Sequence, residues 1–185
     1  MNGETQEYIH DVKVEDIPWH RITTTYGRAT DFPKYFEILL KMEDLDAVKN
    51  AGEEIAMNIE HQSTLWHATP FAMIFLYRIL KNALEQRDKN EIAKYLAEEL
   101  EELFTEIEEA VKMVEEMEHA KELPQFSDML REEYLWSQDY DEEEDEIRYE
   151  EDEVFPDDLF YSFYYYSAQV LELCKTVLDE KNNFC

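Results

Sequence analysis

One stretch of the chain, from residue 91 to about 120, constrains the fold more than any other feature of the sequence. Apolar side chains recur in it at intervals of three and four residues, which is the spacing that lines one face of an α-helix. Glutamate occupies most of the other positions, so the opposite face is suited to solvent. Asn90 stands where such a helix needs an N-terminal cap. The pattern predicts one long helix at the centre of a domain.

The rest of the chain also favours helices. It holds three glycines and five prolines in 185 residues, which leaves few of the tight turns that strands require. Apolar spacing and start signals predict further helices after Asp31 and over residues 19–25, 44–59, 70–87, 126–137 and 156–180. We therefore predict an all-α fold, an irregular stack of about six to seven helices in a single domain at 17–185. It would carry an acidic loop at 138–155 and follow a flexible arm at 1–16.

The charge of the chain limits its partners. Lys and Arg number 17 against 46 Asp and Glu, which gives a net charge of −29. Proteins bind nucleic acids and anionic membranes by placing Lys and Arg against phosphates, so neither is an expected partner. A basic protein is favoured, because opposite charges attract over long range. The sequence makes no prediction about oligomeric state.

The sequence shows no signal for export or membrane insertion. Its first sixteen residues are polar, and the longest apolar run, FAMIFLY at 71–77, is far shorter than the roughly 20 residues that span a bilayer. The two cysteines, Cys174 and Cys185, do not make the disulfide framework of a small secreted domain. We expect a soluble cytoplasmic protein with reduced thiols.

Residues 139–153, here called the acidic segment, hold eleven carboxylates in fifteen positions. Aromatic side chains interrupt the acid, and the helix that follows is rich in tyrosine, which suits the basic surface of a partner protein. The predicted partner-binding residues are Asp139, Tyr140, Asp141, Glu142, Glu143, Glu144, Asp145, Glu146, Tyr149, Glu150, Glu151, Tyr161 and Tyr165. The alternative is a solvated linker that its like charges keep extended.

Metal and catalytic sites are not predicted. Carboxylates alternate through residues 139–145 in the manner of calcium ligands, but Glu144 stands where an EF-hand loop needs glycine. A single Glu-x-x-His spacing at 116–119 lacks the second copy that a di-iron bundle requires. His61 is interpreted as a residue that fixes a turn. We expect no catalytic residue, no metal and no cofactor.

Two stretches of the N-terminal half, YGRATDFP at 26–33 and IEHQSTLWHAT at 59–69, carry a resemblance to a known group. There the chain resembles bacterial HEAT-repeat-like helical proteins, a group that includes candidate immunity proteins of polymorphic toxin systems. Ser63 stands where the group has glycine. The resemblance covers about residues 16–84 and implies a HEAT/ARM-like stack of helical pairs with a protein-binding surface. It supplies no catalytic residues.

These observations favour a non-enzymatic protein-binding function. The most concrete form is an immunity-type inhibitor that neutralises a basic toxin or effector by direct complex formation. One alternative is an acidic regulator that mimics nucleic acid, with carboxylates of the long helix standing for phosphates. The other is a carboxylate-rich metal-binding enzyme.

Overall fold

Helices make up most of the structure, a computed structural model that describes residues 1–141, 143–145 and 155–182. The predicted all-α class is confirmed at this level. The longer helices are α1 (Gly3–Asp11), α2 (Phe32–Lys41), α3 (Leu45–Ile59), α4 (Ala68–Gln86), α5 (Glu91–Glu115) and α6 (Asp157–Asn182). None of the described helices combines the length and the apolar content that crossing a bilayer requires.

The helix starts follow local sequence signals. Asp44 caps α3 by accepting a hydrogen bond from the amide of Ala47 at 2.8 Å, and Asn90 caps α5 by accepting one from Ile92 at 2.9 Å. The cap at Asn90 was predicted from the sequence. Helix α5 ends at Glu115 rather than near residue 120, and its last buried side chain is Val111, since Met113 and Met117 are exposed.

Helix α4 forms the centre of the core and lies against α2, α3, α5 and α6. Four consecutive side chains, Phe71 to Ile74, are fully buried, so this helix has no solvent face in its first turns. Helix α5 buries a single stripe, which includes Leu96, Leu100 and Ile107, and exposes most of its glutamates. The two patterns agree with the apolar spacing of the sequence.

Two β-hairpins replace features that we expected to be helix or loop. The predicted helix at 19–25 is a 3₁₀ turn at Trp19–Arg21 followed by β1 (Thr23–Thr24), which pairs antiparallel with β2 (Gly27–Arg28). The second hairpin pairs β3 (Glu60–His61) with β4 (Thr64–Leu65). Two-residue turns of this kind escape a search for helical periodicity because they occupy only six residues each.

The turn of the second hairpin uses left-handed backbone. Gln62 and Ser63 have φ values of 51° and 63°. Such values suit the primed turns that join twisted strands, and they favour glycine or asparagine over serine. Glu60 offsets part of this strain, since its carboxylate accepts a hydrogen bond from the Ser63 amide at 2.8 Å. The group that this stretch resembles has glycine where this chain has Ser63, and the left-handed backbone at this position favours glycine.

Hydrogen bonds join the first hairpin to the end of α3, and they join the residues that flank the second hairpin to α4. The amide of Thr25 donates to the carbonyl of Asn58 at 3.0 Å, which brings the first hairpin beside the end of α3. The hydroxyl of Thr69 donates to the carbonyl of Ile59 at 2.5 Å and accepts from the amide of Trp66 at 2.8 Å. Thr69, in the first turn of α4, therefore fixes the residues that flank the second hairpin against that helix.

Residues 1–16, expected as a flexible arm, instead form α1 and a 3₁₀ turn at Val14–Asp16. Ile9 and Val12 are buried in the core, and the ring of Tyr8 stacks on Phe126 with centroids 5.1 Å apart. The apolar positions of α1 are too few to show a period in the sequence, but they suffice to dock a short helix.

The predicted helix at 126–137 is also different. Its residues form two 3₁₀ turns, Phe126–Leu130 and Glu132–Tyr134, separated by Arg131 at φ −62° and ψ 144°. That extended conformation at Arg131 interrupts any continuous helix. It also turns the chain toward the N-terminal hairpin, where the acidic segment begins.

Candidate partner-binding surface

A buried arginine organises the first part of the acidic segment. Arg28, on strand β2, donates from Nε to Asp145 Oδ2 and from Nη2 to Asp145 Oδ1, both at 2.8 Å. The Arg28 side chain is 4% exposed and that of Asp145 is 8% exposed. Two parallel hydrogen bonds of this kind are the strongest arrangement for a guanidinium and a carboxylate. The pair fixes residue 145 to the first hairpin.

The same guanidinium makes a second set of contacts, with His20 and with residues 136–140. Its Nη1 donates to the carbonyls of His20 and Ser137 at 2.8 and 2.7 Å. The rings of Trp136 and Tyr140 lie with their centroids 5.4 and 5.5 Å from its central carbon. Cation–π contacts strengthen when the cation is desolvated, as it is here. We call residues 136–141 and 143–145, which Arg28 holds together, the acidic stem.

Arg21 supports the stem one step earlier in the chain. Its Nε donates to the carbonyl of Trp136 at 2.6 Å, and the amide of Trp136 donates to the carbonyl of Arg21 at 2.9 Å. Its terminal nitrogens bind both carboxylate oxygens of Glu132, and that hydrogen bonding raises the pKa of Arg21 and lowers the pKa of Glu132. Trp136 is buried between these contacts. The stem and residues 19–28 therefore form one unit.

Asp141 precedes a helical turn in the stem. Its carboxylate accepts a hydrogen bond from the amide of Glu144 at 3.1 Å, and its carbonyl accepts one from Asp145 at 2.9 Å. Residues 143–145 are helical, so Asp141 serves as their N-terminal cap. This turn aims the side chain of Asp145 at Arg28, while Glu143 and Glu144 remain exposed.

The structure separates the predicted partner-binding residues into three groups. The exposed ones are Asp139, Tyr140, Asp141, Glu143 and Glu144. Asp145 and Tyr161 are buried, and Tyr165 is half-buried. The remaining ones, Glu142, Glu146, Tyr149, Glu150 and Glu151, lie outside the described residues. The exposed group is thus confined to the stem, where Tyr140 shows 67% of its surface.

Asp145 and Tyr161 do not have the accessible side chains that a partner-binding role requires in this structure. Asp145 is used by Arg28, as described above. The ring of Tyr161 stacks nearly parallel on His119, with centroids 3.7 Å apart, and burial followed by the charges of Glu115 and Glu122 raises its pKa. Tyr165 packs edge-on against the neighbouring Tyr166 ring at 5.1 Å. These tyrosines contribute mainly to the contacts of α6 with its surroundings.

Sequence reasoning missed Arg21 and Arg28. Arg28 lies inside the YGRATDFP stretch, but its partners Ser137 and Asp145 are 109 and 117 residues further along the chain. No local pattern connects positions so far apart. The scarcity of cations offers a weak signal, because a chain with 17 Lys and Arg against 46 Asp and Glu offers a buried arginine many acids to pair with.

The histidines in the second hairpin and just after it have structural contacts. His61 lies in β3 with its ring 5.7 Å from that of Tyr26, which is 65% exposed at the tip of the first hairpin. His67 is fully buried, binds the carbonyl of Met129 through Nε2 at 2.8 Å and stacks on Phe163. Burial lowers the pKa of His67 to about 4, so it is neutral at physiological pH.

Among the described residues, no group of three or more His, Cys, Asp or Glu side chains is placed to hold a metal ion. Comparison of the chain with known protein families, with curated proteins and with solved structures found no match.

Proposed function

We propose that this protein is a non-enzymatic binding protein of the cytoplasm that neutralises a basic partner by direct complex formation. Its most concrete form is an immunity-type inhibitor of a basic toxin or effector domain. The observation that carries the proposal is the acidic stem, in which a buried Arg28 holds exposed carboxylates and an exposed Tyr140 in one conformation.

The fixed stem supports binding for an energetic reason. A partner that meets a mobile acidic chain must order its backbone, which costs about 1–2 kcal/mol per residue. The stem is already ordered by Arg28 and Arg21, so this cost is largely met within the fold. Exposed acid also accelerates encounter with a basic surface.

Tyr140 supplies the second element of the proposed interface. Its ring covers the guanidinium of Arg28 on one side and is open to solvent on the other. Aromatic side chains with few rotatable bonds dominate the binding energy of many interfaces. In the proposed complex Tyr140 is the anchor, and Asp139, Glu143 and Glu144 surround it with negative charge.

The proposed architecture is a HEAT/ARM-like stack. The pairs α2–α3 and α4–α5 each consist of neighbouring helices joined by a connection of a few residues, as helical repeats do. Helix α6 packs against both α4 and α5 and would close the stack.

A second candidate function is a regulator that mimics nucleic acid. The exposed glutamates of α5 favour it, because they follow a helix of 25 residues and present a long negative surface. Competition with DNA for a basic protein separates it from the first candidate, since a toxin inhibitor need not occupy a DNA-binding surface.

Co-expression with the product of the neighbouring gene tests the proposal. We expect a stable 1:1 complex that NaCl weakens, and protection of cells from that product. A triple variant of exposed stem residues, Asp139→Asn with Glu143→Gln and Glu144→Gln, should weaken the complex at least about tenfold, which is about 1.4 kcal/mol. The matched control removes the same charge from the exposed face of α5 through Glu101→Gln, Glu102→Gln and Glu109→Gln.

Two results would contradict the proposal. In one, the stem variant and the α5 control weaken the complex equally, which would remove the stem from the interface. In the other, no complex forms and the purified protein converts a small compound.

A further inference from the structure

A groove of about 480 Å³ lies between the end of α5 and the start of α6, away from the residues of the acidic stem. Its lining includes Val114, Met117, Glu118, Asp157, Phe160 and Tyr161. The groove has the size of a site for a few large side chains. It is not explained by the contacts that build the helical core.

The floor of the groove is apolar and partly open to solvent. Met117 is 57% exposed and Phe160 is 38% exposed, which is unusual for two large apolar side chains that share one concave site. The stacked rings of His119 and Tyr161 lie beside them and form one side of the groove. Methionine has three rotatable bonds and adapts to irregular apolar partners, so Met117 is suited to receive a foreign side chain.

The rim of the groove is negative. Glu118 and Asp157 line it, and the carboxylates of Glu115 and Glu122 lie close enough to act on Tyr161. No Lys or Arg stands among its described lining residues. Such a rim repels acidic segments, and it repels a second copy of a chain whose net charge is −29. Charge complementarity therefore selects a cationic occupant.

The groove lies beside the point where the acidic segment joins α6. Phe155, the first described residue after the segment, packs its ring edge-on against Phe163 at 5.3 Å, and α6 begins two residues later. Arg28 fixes an earlier part of the segment by its ion pair with Asp145. A partner attracted by the acidic segment would therefore meet this apolar groove where the segment joins α6.

We propose that the groove receives the apolar face of a cationic amphipathic helix that belongs to the basic partner protein. This inference rests on the proposed function and adds to it the chemistry of the docking segment. Helix-in-groove recognition uses apolar side chains at intervals of three and four residues, flanked here by Lys or Arg that face Glu118 and Asp157. Met117 and Phe160 supply the apolar contact.

A designed peptide tests the groove without knowledge of the partner. The probe is a fluorescent peptide of about 18 residues made of Leu and Lys, with Leu on one helical face. Fluorescence anisotropy measures its dissociation constant for the full chain. We expect Met117→Gln to weaken binding about tenfold, because the variant places a polar amide where Leu must pack. Met57→Gln, which changes a 49% exposed methionine on α3, is the matched control and should leave binding unchanged.

A second pair of variants examines the rim. Glu118→Gln should weaken the peptide more than Glu102→Gln, although both remove one exposed charge and only Glu118 lines the groove. Oligolysine of equal charge should bind weakly and without response to Met117→Gln. All four substituted side chains are exposed or half-solvated, so circular dichroism should show an unchanged helical content.

The outcomes separate the groove from the proposed function. Equal affinity for oligolysine and the Leu/Lys peptide, or equal weakening by the Met57 and Met117 variants, would overturn the proposed role of the groove. Binding by charge alone would then remain. If neither peptide shows salt-sensitive binding, the proposed role of the groove is overturned as well, and the result also argues against a basic partner.

Discussion

Arg28 shows how one residue can decide the position of a highly charged segment. The acidic segment offers eleven carboxylates, yet only Asp145 among the described ones reaches the buried guanidinium. Burial makes this pair different from the surface pairs of the molecule, because both charges have lost water and each depends on the other. The remaining carboxylates of the stem stay in solvent.

Replacement of Arg28 should release the stem. Arg28→Met leaves the Asp145 carboxylate without its cation, and removal of one partner from a buried pair typically costs about 3–5 kcal/mol. We expect a loss of about 3 kcal/mol in the free energy of unfolding, measured with urea, and faster hydrogen exchange at the amides of Glu144 and Asp145. Arg131→Met is the matched control, since Arg131 is 49% exposed and its pair with Asp128 should contribute less than about 1 kcal/mol. Equal losses in the two variants would contradict a buried anchor.

His67 is a second residue whose environment has a measurable effect. Nε2 donates to the carbonyl of Met129, which leaves Nδ1 as the unprotonated nitrogen. Within the described residues Nδ1 has no hydrogen-bond partner. A proton added there would place a charge between aromatic rings, with the ring of Phe163 only 5.2 Å away.

Acid should therefore destabilise the protein through His67. Its pKa is lowered from 6.5 to about 4 in the folded state, so the unfolded state takes up the proton first as the pH falls. The stability is complete above pH 6.5 and decreases by about 3 kcal/mol as the pH falls to about 4. Urea unfolding at pH 7.5 and 4.5 should show a loss about 2 kcal/mol larger in the wild type than in His67→Gln. His10→Gln changes an exposed histidine and is the control. If it reduces the acid-induced loss of stability as much as His67→Gln does, the loss does not come from His67.

At the scale of elements, α1 is a short helix held by a cation from another helix. Arg78 on α4 donates from Nη2 to the carbonyls of Ile9, His10 and Val12 at 2.8, 3.2 and 2.8 Å. The last carbonyls of a helix have no partner within it and favour a positive charge. A helix of nine residues is marginal alone, so this contact and the burial of Ile9 keep it in place.

Loss of Arg78 should therefore loosen α1 before the rest of the molecule. Arg78→Met removes the donor from three carbonyls and should cost about 1–3 kcal/mol locally. Trypsin should then cleave faster after the exposed Lys13, as mass spectrometry of the released fragment would show. Lys81→Met, one turn further along α4, also removes a trypsin site and an exposed charge and serves as the control. Unchanged cleavage in Arg78→Met would show that apolar contacts alone hold the helix.

The elements also show which parts of this fold can be predicted from sequence. The caps at Asp44 and Asn90 and the stripe of α5 are properties of a few consecutive residues, so local patterns identify them. The two hairpins are too short to give a pattern, and α1 depends on a contact with Arg78 about seventy residues away.

The candidate site was predictable in part for the same reason. The density of acid indicated this region as a candidate, and Tyr140 is exposed within it. Nothing in the sequence distinguishes Asp145 from its neighbours, since its burial is determined by Arg28 from the other half of the chain.

At the scale of the whole molecule, the net charge of −29 opposes compaction. Salt screens repulsion among exposed carboxylates more than it weakens the buried Arg28–Asp145 pair. We expect an increase of NaCl from about 20 to about 500 mM to raise the melting temperature by roughly 3 °C, which corresponds to about 1 kcal/mol for a chain of this size. Differential scanning calorimetry measures the shift.

Calcium provides the control for this prediction. CaCl₂ at the same ionic strength should raise the melting temperature about as much as NaCl, apart from weak general binding to acid. A far larger effect of calcium would indicate a specific divalent site. A decrease of the melting temperature with NaCl would mean that ion pairs, rather than repulsion, dominate the charge energetics.

The pairing of Arg28 with Asp145 also has a consequence for synthesis on the ribosome. The two residues are 117 positions apart, and a chain grows at about 5–20 residues per second, so Arg28 waits on the order of ten seconds for its carboxylate. Until then the hairpin that bears it has no acidic stem to cover it. The nascent N-terminal half thus presents an unneutralised cation to whatever surrounds the exit tunnel, and the chain must emerge as far as Asp145 before that half is complete.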